Sequence, residues 1–145
     1  MTPSPVVAAQ LTRRLTVLGA TSTVVGLAVA SRQDPAVRAF GRQSAAWGVI
    51  DLAIAGASAA RSSPPPTAQR LRIVLLVNTV LDVGYVAGGA HLAVRRPGFG
   101  GRLSPEAARG HGWAVVVQGA LLLVVDGVHA HRLRSTAAPA GGPRR

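Results

Sequence analysis

The arginines of this 145-residue chain separate four long apolar stretches. No basic residue occurs within residues 15–31, 43–60, 73–94 or 110–131. The stretches contain 17, 18, 22 and 22 residues, close to the roughly 20 residues with which a helix crosses about 30 Å of hydrocarbon. The pattern predicts an all-α fold, an integral membrane four-helix bundle, with arginines at both membrane surfaces.

Prolines and small polar residues indicate where the helices begin. Asp34 followed by Pro35, and Ser104 followed by Pro105, each place a capping side chain before a proline that suits the first helical position. Three consecutive prolines break the chain between the second and third stretches. Because the second helix of each half begins in the same way, the sequence is compatible with two pseudo-repeated helical hairpins.

The two ends of the chain differ in composition from the stretches between them. Residues 1–10 and 135–145 predict disordered tails around a membrane domain of residues 11–134. The segment "TRRLTVLG" also resembles the start of a twin-arginine export signal. Since cleavage after it would leave an odd set of three helices, we expect this segment to remain as the first helix.

Charge composition narrows the partners that the chain can have. The net charge is +11, all 16 basic residues are arginine, and there is no cysteine, which excludes disulfides and thiolate chemistry. A pI near 12 would suit a nucleic-acid binder, but arginines confined to the ends of apolar stretches predict contacts with the bilayer and its anionic headgroups instead. We expect a multi-pass protein of the bacterial plasma membrane, with N-in/C-in slightly favoured because nine arginines would then face inward and seven outward.

Each of the four stretches places polar side chains near its centre. Asp51 and Asp82 lie at the midpoints of the second and third stretches, and Thr21 to Thr23 lie near the midpoint of the first. An aspartate at the membrane midplane costs about 2.5–3.5 kcal/mol even on the most lenient scale. Since no span contains a basic partner, these groups must be protonated, hydrated, bound to a cation or held by neutral donors.

The sequence therefore predicts a small multi-pass membrane protein of unknown activity with a polar cluster at the midplane. The cluster is a candidate site for a proton, a small cation or a polar ligand head; its candidate residues are Asp82, Asn78, Asp51, Gln118, Asp126, Tyr85 and Trp47. The alternative is a structural or accessory membrane subunit whose polar core only sets helix packing, because buried polar side chains often serve as contacts between helices.

The third stretch, "VNTVLDVGYVAGG" at its core, has two different faces. Asn78, Asp82 and Tyr85 lie toward one side, whereas Gly84 and Gly88 form a small-xxx-small pair on the other. The polar side is expected to face the bundle interior. The glycine side is a candidate surface for a neighbouring helix, a second copy of the chain or a membrane partner subunit.

The sequence lacks the motifs of common catalytic sites. It contains no Ser-His-Asp arrangement, phosphate-binding loop or HExxH motif, so the prediction leans away from an enzyme. A haem between His91 and His111 is geometrically conceivable, but both lie at a membrane edge where histidines are ordinarily solvated. No metal and no cofactor is therefore predicted.

The segments "AWGVIDLAIAG", "VNTVLDVGYVAGG" and "GWAVVVQGALLLVVDGVHA" carry a resemblance to known sequences. In these residues, from about Ala45 to His131, the chain resembles an uncharacterised family of small four-span bacterial integral membrane proteins. The resemblance implies a four-helix membrane protein, and it implies no activity because the family has none assigned.

Overall fold

The computed structural model describes residues 4–60 and 66–135 of the chain. Within them the fold is all-α, without a strand, and consists of four helices: α1 (Ser4–Ala30), α2 (Pro35–Ala59), α3 (Ala68–Arg95) and α4 (Pro105–Ser135). Asp34 caps α2 by accepting a 2.8 Å hydrogen bond from the backbone N–H of Val37. Ser104 caps α4 in the same way, at 3.2 Å from Ala107. Both caps expected from the sequence are thus confirmed.

The helices run alternately up and down, so that the first turns of α1 and the last turns of α4 meet at one end. Val7 is buried there against Leu71, Leu75 and Leu133. We call this the terminal end of the bundle, and the opposite end, with the connections 31–34 and 96–104, the loop end. Helices α1 and α2 pack along their length as hairpin 1, α3 and α4 as hairpin 2, and α2 against α4 joins the hairpins.

The burial of Val7 corrects the disordered tail expected for residues 1–10. The helix begins at Ser4 because Val7, together with Leu11, completes the apolar cluster at the terminal end. Residues 1–3 and 136–145 lie outside the described part of the chain, as do residues 61–65 in the proline-rich break.

Glycines bring the two helices of hairpin 1 into backbone contact. A methyl group built on Gly19 would lie 2.8 Å from the carbonyl oxygen of Gly48, and one built on Gly41 would collide with the backbone of Ala30. Gly26 meets Gly41 and Ala45 in the same way. Close helix approach through small residues is characteristic of packing in which dispersion contacts, rather than large side chains, hold helices together.

Hairpin 2 uses equivalent glycines. A methyl group on Gly89 would lie 2.8 Å from the carbonyl oxygen of Gly112, and one on Gly119 would lie 3.2 Å from the carbonyl oxygen of Asp82. The two sets occupy equivalent sequence positions. Adding 63 residues to α1 positions gives those of α3, so that Gly26 corresponds to Gly89 and Gly19 to Asp82. Adding 71 residues to α2 positions gives those of α4, so that Gly41 corresponds to Gly112 and Gly48 to Gly119. The two hairpins are therefore packed through the same positions.

Small side chains fill the interior of the bundle and large apolar side chains cover its outside, the reverse of the distribution in a soluble globular protein. The buried apolar residues are mostly alanines, among them Ala39, Ala55 and Ala114. The large apolar side chains point outward on all four helices, with Val24, Val80 and Val124 each more than 60% exposed. Monomeric soluble proteins rarely expose so much contiguous apolar surface.

Two of the four helices are long and apolar enough to cross a membrane. These are α3, over Ala68–Arg95, and α4, over Pro105–Leu133, each with a mean hydropathy of 1.7. Helices α1 and α2 are not among them, because arginine, serine, threonine and small residues interrupt their apolar runs.

Candidate functional site: a buried carboxyl cluster

A chain of hydrogen bonds joins α1, α4 and α2 in the middle of the bundle. The Nε2 amide of Gln118 donates to Oδ2 of Asp51 at 2.6 Å. The hydroxyl of Ser22 approaches Oε1 of Gln118 at 3.5 Å, at the long limit for a hydrogen bond. Both Asp51 and Gln118 are buried, so this chain fixes hairpin 1 against hairpin 2 from the inside.

Asp82 is the buried carboxylate of α3, only 3% exposed. Its Oδ2 atom is fully buried and has no hydrogen-bond partner among the described residues. Asp51 and Asp126 are both close enough to Asp82 to interact with it electrostatically. We call Asp51, Asp82 and Asp126 the carboxyl cluster; its members come from three different helices.

Asp126 forms the part of the cluster nearest the terminal end. Its carboxylate is buried and lies beside the side chain of Asn78 on α3. One turn further along α4, His129 is completely buried, and its Nδ1–H donates to the carbonyl oxygen of Val125 at 2.6 Å. The Nε2 atom of His129 is buried without a partner in the described part of the chain.

Trp47, one of the candidate residues, does not donate a hydrogen bond into the cluster. Its Nε1 atom is buried but has no hydrogen-bond partner among residues 4–60 and 66–135. The indole instead packs edge-on against the ring of Tyr85, with centroids 5.2 Å apart and planes at 67°. Tyr85 is 38% exposed, so this pair forms a rim of the site rather than its centre.

The histidines expected at the loop end do not present a paired site. The Nδ1–H of His111 donates to Oε1 of Gln43 at 3.0 Å, which links α4 to α2. His91 is exposed. Within the described residues, no three histidine, aspartate or glutamate side chains are grouped so that they could hold a metal ion together.

Gly84 and Gly88 lie on the outside of hairpin 2. A methyl group built on either one would meet no atom within 4 Å. They therefore pack against nothing within the described chain, and the helix contacts are made by other glycines. The polar face of α3 points inward through Asp82, as expected from the sequence, while the outer glycine face stays open.

Three contributors to the site were not singled out from the sequence. The bridging position of Ser22, the burial of His129 and the packing glycines of α1 emerge only from the assembled bundle. One signal for the glycines was present: Gly19 and Gly26 are seven residues apart, the same spacing that separates Gly41 from Gly48. A seven-residue repeat keeps side chains on one helix face.

One known family matches most of the chain. The model of DUF6992, a family of unknown function, matches residues 14–127, and the chain belongs to that family. The match includes the whole carboxyl cluster. No curated protein and no solved structure matches the chain.

Proposed function

We propose that this DUF6992 member is a four-span integral membrane protein whose carboxyl cluster binds and releases protons and passes them along the bundle. The membrane placement rests on the reversed distribution of side-chain size. Valines, leucines and isoleucines cover the outside of every helix, whereas alanine, glycine and polar groups fill the inside. In a bilayer this exterior contacts hydrocarbon and needs no further partner.

Helices α1 and α2 belong to the same membrane unit in this proposal although they are less apolar than α3 and α4. Their outward positions are still large and apolar: Val17 is 60% and Val24 is 69% exposed on α1, and Ile54 is 50% exposed on α2. Arginine, serine, threonine and small residues interrupt their apolar runs, and several of the glycines face a neighbouring helix. We place the chain in the bacterial plasma membrane with the terminal end inward, the orientation that its arginines slightly favour.

The orphaned Oδ2 of Asp82 is the observation that carries the proton assignment. An ionised carboxylate buried without a donor is strongly unfavourable, and protonation removes the charge at the least cost. Asp51 and Asp126 interact with it across the helix boundaries, so a proton on Asp82 reduces the repulsion that it exerts on both neighbours. A small cation or a polar ligand head would also compensate the negative charge. Because the three carboxyls are spread over three helices, we favour the proton, which needs only one of them.

Polar groups continue from the cluster toward both ends of the bundle. On α4, His129 lies on the terminal side and His111 on the loop side, about 27 Å apart along the helix axis at 1.5 Å per residue. Gln118 and Asp126 lie between them. Histidine is the side chain best suited to exchange protons near neutrality, and this arrangement supports passage through the bundle rather than storage alone.

Proton flux into liposomes tests the assignment. Wild-type protein is reconstituted with an internal pH dye, and a potassium diffusion potential drives uptake. We expect Asp82→Asn to reduce the flux by about tenfold or more, since a neutral amide cannot carry the proton. Asp34→Asn, which removes the same charge while keeping a good helix cap, is the matched control and should behave like wild type. Equal non-zero flux in both variants would remove Asp82 from the mechanism; no flux in wild type would remove transport.

A structural role is the second candidate, and the Ser22–Gln118–Asp51 chain favours it. These contacts join three helices and both hairpins, which is what a subunit needs if its polar core only sets helix register. In that case Asp82→Asn should leave thermal stability in detergent unchanged or raised, with no flux in any variant. Native mass spectrometry would then show a homodimer or a bound partner subunit, with Gly84 and Gly88 as the expected contact.

A further inference from the structure

A groove of about 520 Å³ opens between α1 and α4 on the terminal side of the bundle. Its outer part is lined by Gln10, Arg13 and Arg14, and its inner part by Val17, Leu18 and Thr21. The wall opposite α1 is provided by Val125 of α4. Helices α1 and α4 touch in few places, so the groove is the space that their separation leaves.

The two arginines have no partner of their own within the described residues. Neither Arg13 nor Arg14 makes a hydrogen bond or ion pair there through its side chain, and both are exposed. Two adjacent guanidinium groups without a carboxylate create a local site for an anion, and their planar forks suit phosphate oxygens.

The position of the groove in the proposed bilayer specifies what kind of anion it suits. Arg13 lies ten residues, or about 15 Å, from the midpoint of the first span, which is the edge of a hydrocarbon core about 30 Å thick. Below the arginines the groove continues between Val17, Leu18 and Val125, at the depth of acyl chains. A free phosphate would occupy only the polar half of such a groove.

A second groove, at the loop end, provides a contrast. It measures about 360 Å³ and is lined by Phe40, Trp113 and Arg109, but also by Asp34. Because an acidic and a basic residue share that groove, it has no net preference for an anion. Of these two grooves in the described part of the chain, the one at the terminal end combines unpaired cations with an apolar continuation.

We propose that the groove between α1 and α4 is a binding site for one anionic phospholipid, with its phosphate on Arg13 and Arg14 and an acyl chain along Val17, Leu18 and Val125. The site is separate from proton transfer, and its test does not require flux. It does share the membrane placement of the bundle.

Native mass spectrometry with a defined lipid mixture tests the site. Wild-type protein is released from micelles containing phosphatidylglycerol and phosphatidylethanolamine with identical acyl chains. We expect retained phosphatidylglycerol to exceed phosphatidylethanolamine and to fall about tenfold or more in Arg13→Gln/Arg14→Gln, because hydrogen bonds to charged groups are lost. Arg70→Gln/Arg132→Gln removes two exposed arginines from the same end outside the groove, and should retain the lipid.

Equal loss in both double variants would overturn the proposal, since it would show that only the general charge of that end attracts lipid. Retention in Arg13→Gln/Arg14→Gln would overturn it as well. The apolar half is tested without a charge change: Val17→Trp should fill the groove and expel the lipid, whereas Val24→Trp, on an exposed position outside the groove, should not. Displacement of the lipid by an equal concentration of glycerol phosphate would assign the site to a free anion and overturn the lipid assignment.

Discussion

Hairpins 1 and 2 share one packing scheme but differ in the chemistry placed on it. Both bring their helices together through glycines at equivalent positions. At the position where α1 has Gly19, however, α3 has Asp82, and two of the three clustered carboxylates belong to hairpin 2. The comparison shows that the backbone packing can be kept while hairpin 2 places a buried carboxyl at a position that is glycine in hairpin 1.

The contacts between the hairpins show the same relation. Ser22 of α1 approaches Gln118 of α4. Tyr85 is the residue of α3 equivalent to Ser22, and Trp47 is the residue of α2 equivalent to Gln118; these two also contact each other. The two contacts therefore occupy equivalent positions: one is a hydrogen bond between a hydroxyl and an amide, and the other is a packing contact between two aromatic rings. The pseudo-twofold arrangement sets which positions meet, and the residue types decide whether the contact is polar.

The largest expected effect comes from the glycines that both hairpins share. Gly41→Ala and Gly112→Ala each place a methyl group against the backbone of the partner helix. Each should lower the free energy of unfolding in detergent by about 1–3 kcal/mol, because backbone atoms cannot move aside as side chains do. Denaturant titration followed by circular dichroism measures the change.

Gly84→Ala is the control for that experiment. The position is open, so alanine should raise stability by up to about 1 kcal/mol through its higher helix propensity. If Gly41→Ala is destabilising and Gly112→Ala is not, the two hairpins are not packed equivalently.

An intermediate effect is expected where the equivalent positions differ in polarity. Gln118→Leu should lower the free energy of unfolding by about 1–3 kcal/mol, because Asp51 loses its donor while remaining buried. Trp47→Phe removes a buried N–H that has no partner among the described residues, so stability should change by less than about 1 kcal/mol. Thermal melts in one detergent compare the two; a larger loss for Trp47→Phe would mean that the indole has a bound partner such as water.

A smaller loss than at the packing glycines is expected at the caps that begin the second helix of each hairpin. Asp34→Ala and Ser104→Ala each remove one acceptor for a backbone N–H and should cost about 0.5–2 kcal/mol. The shorter bond of Asp34, 2.8 Å against 3.2 Å for Ser104, predicts the larger loss in hairpin 1. Equal midpoints for wild type and Asp34→Ala in a denaturant titration would contradict this.

The helices and their caps were predictable from the chain because each depends on local signals. Arginines delimit the apolar stretches, and an aspartate or serine before a proline marks a helix start. The rotation of one helix against its neighbour is not local, so the edge-on contact of Trp47 with Tyr85 could not be predicted from the chain. The direction of the indole is set by this contact between α2 and α3 rather than by a signal within α2.

The orientation of Asp82 was predictable for a different reason. The carboxyl of Asp82 and the glycine pair Gly84 and Gly88 lie on opposite faces of α3. Because the polar face is the one expected to point into the bundle, the orientation of the helix follows, and the structure has this orientation. The burial of His129 was not visible in the same way, because four histidines share similar surroundings along the chain. The packing of α4 against Val7 and Leu75 lies beside the buried His129, whereas His91 and His131 are exposed and His111 is half-buried.

The alanine- and glycine-filled interior has a consequence for how temperature acts on the fold. Heat capacity changes on unfolding scale with the apolar surface transferred to water. Helices that separate within a bilayer exchange contacts between small residues for contacts with lipid, and very little surface becomes hydrated. Under the proposed membrane placement, the stability of the bundle should therefore vary almost linearly with temperature, without the pronounced maximum that the curve of a water-soluble domain shows.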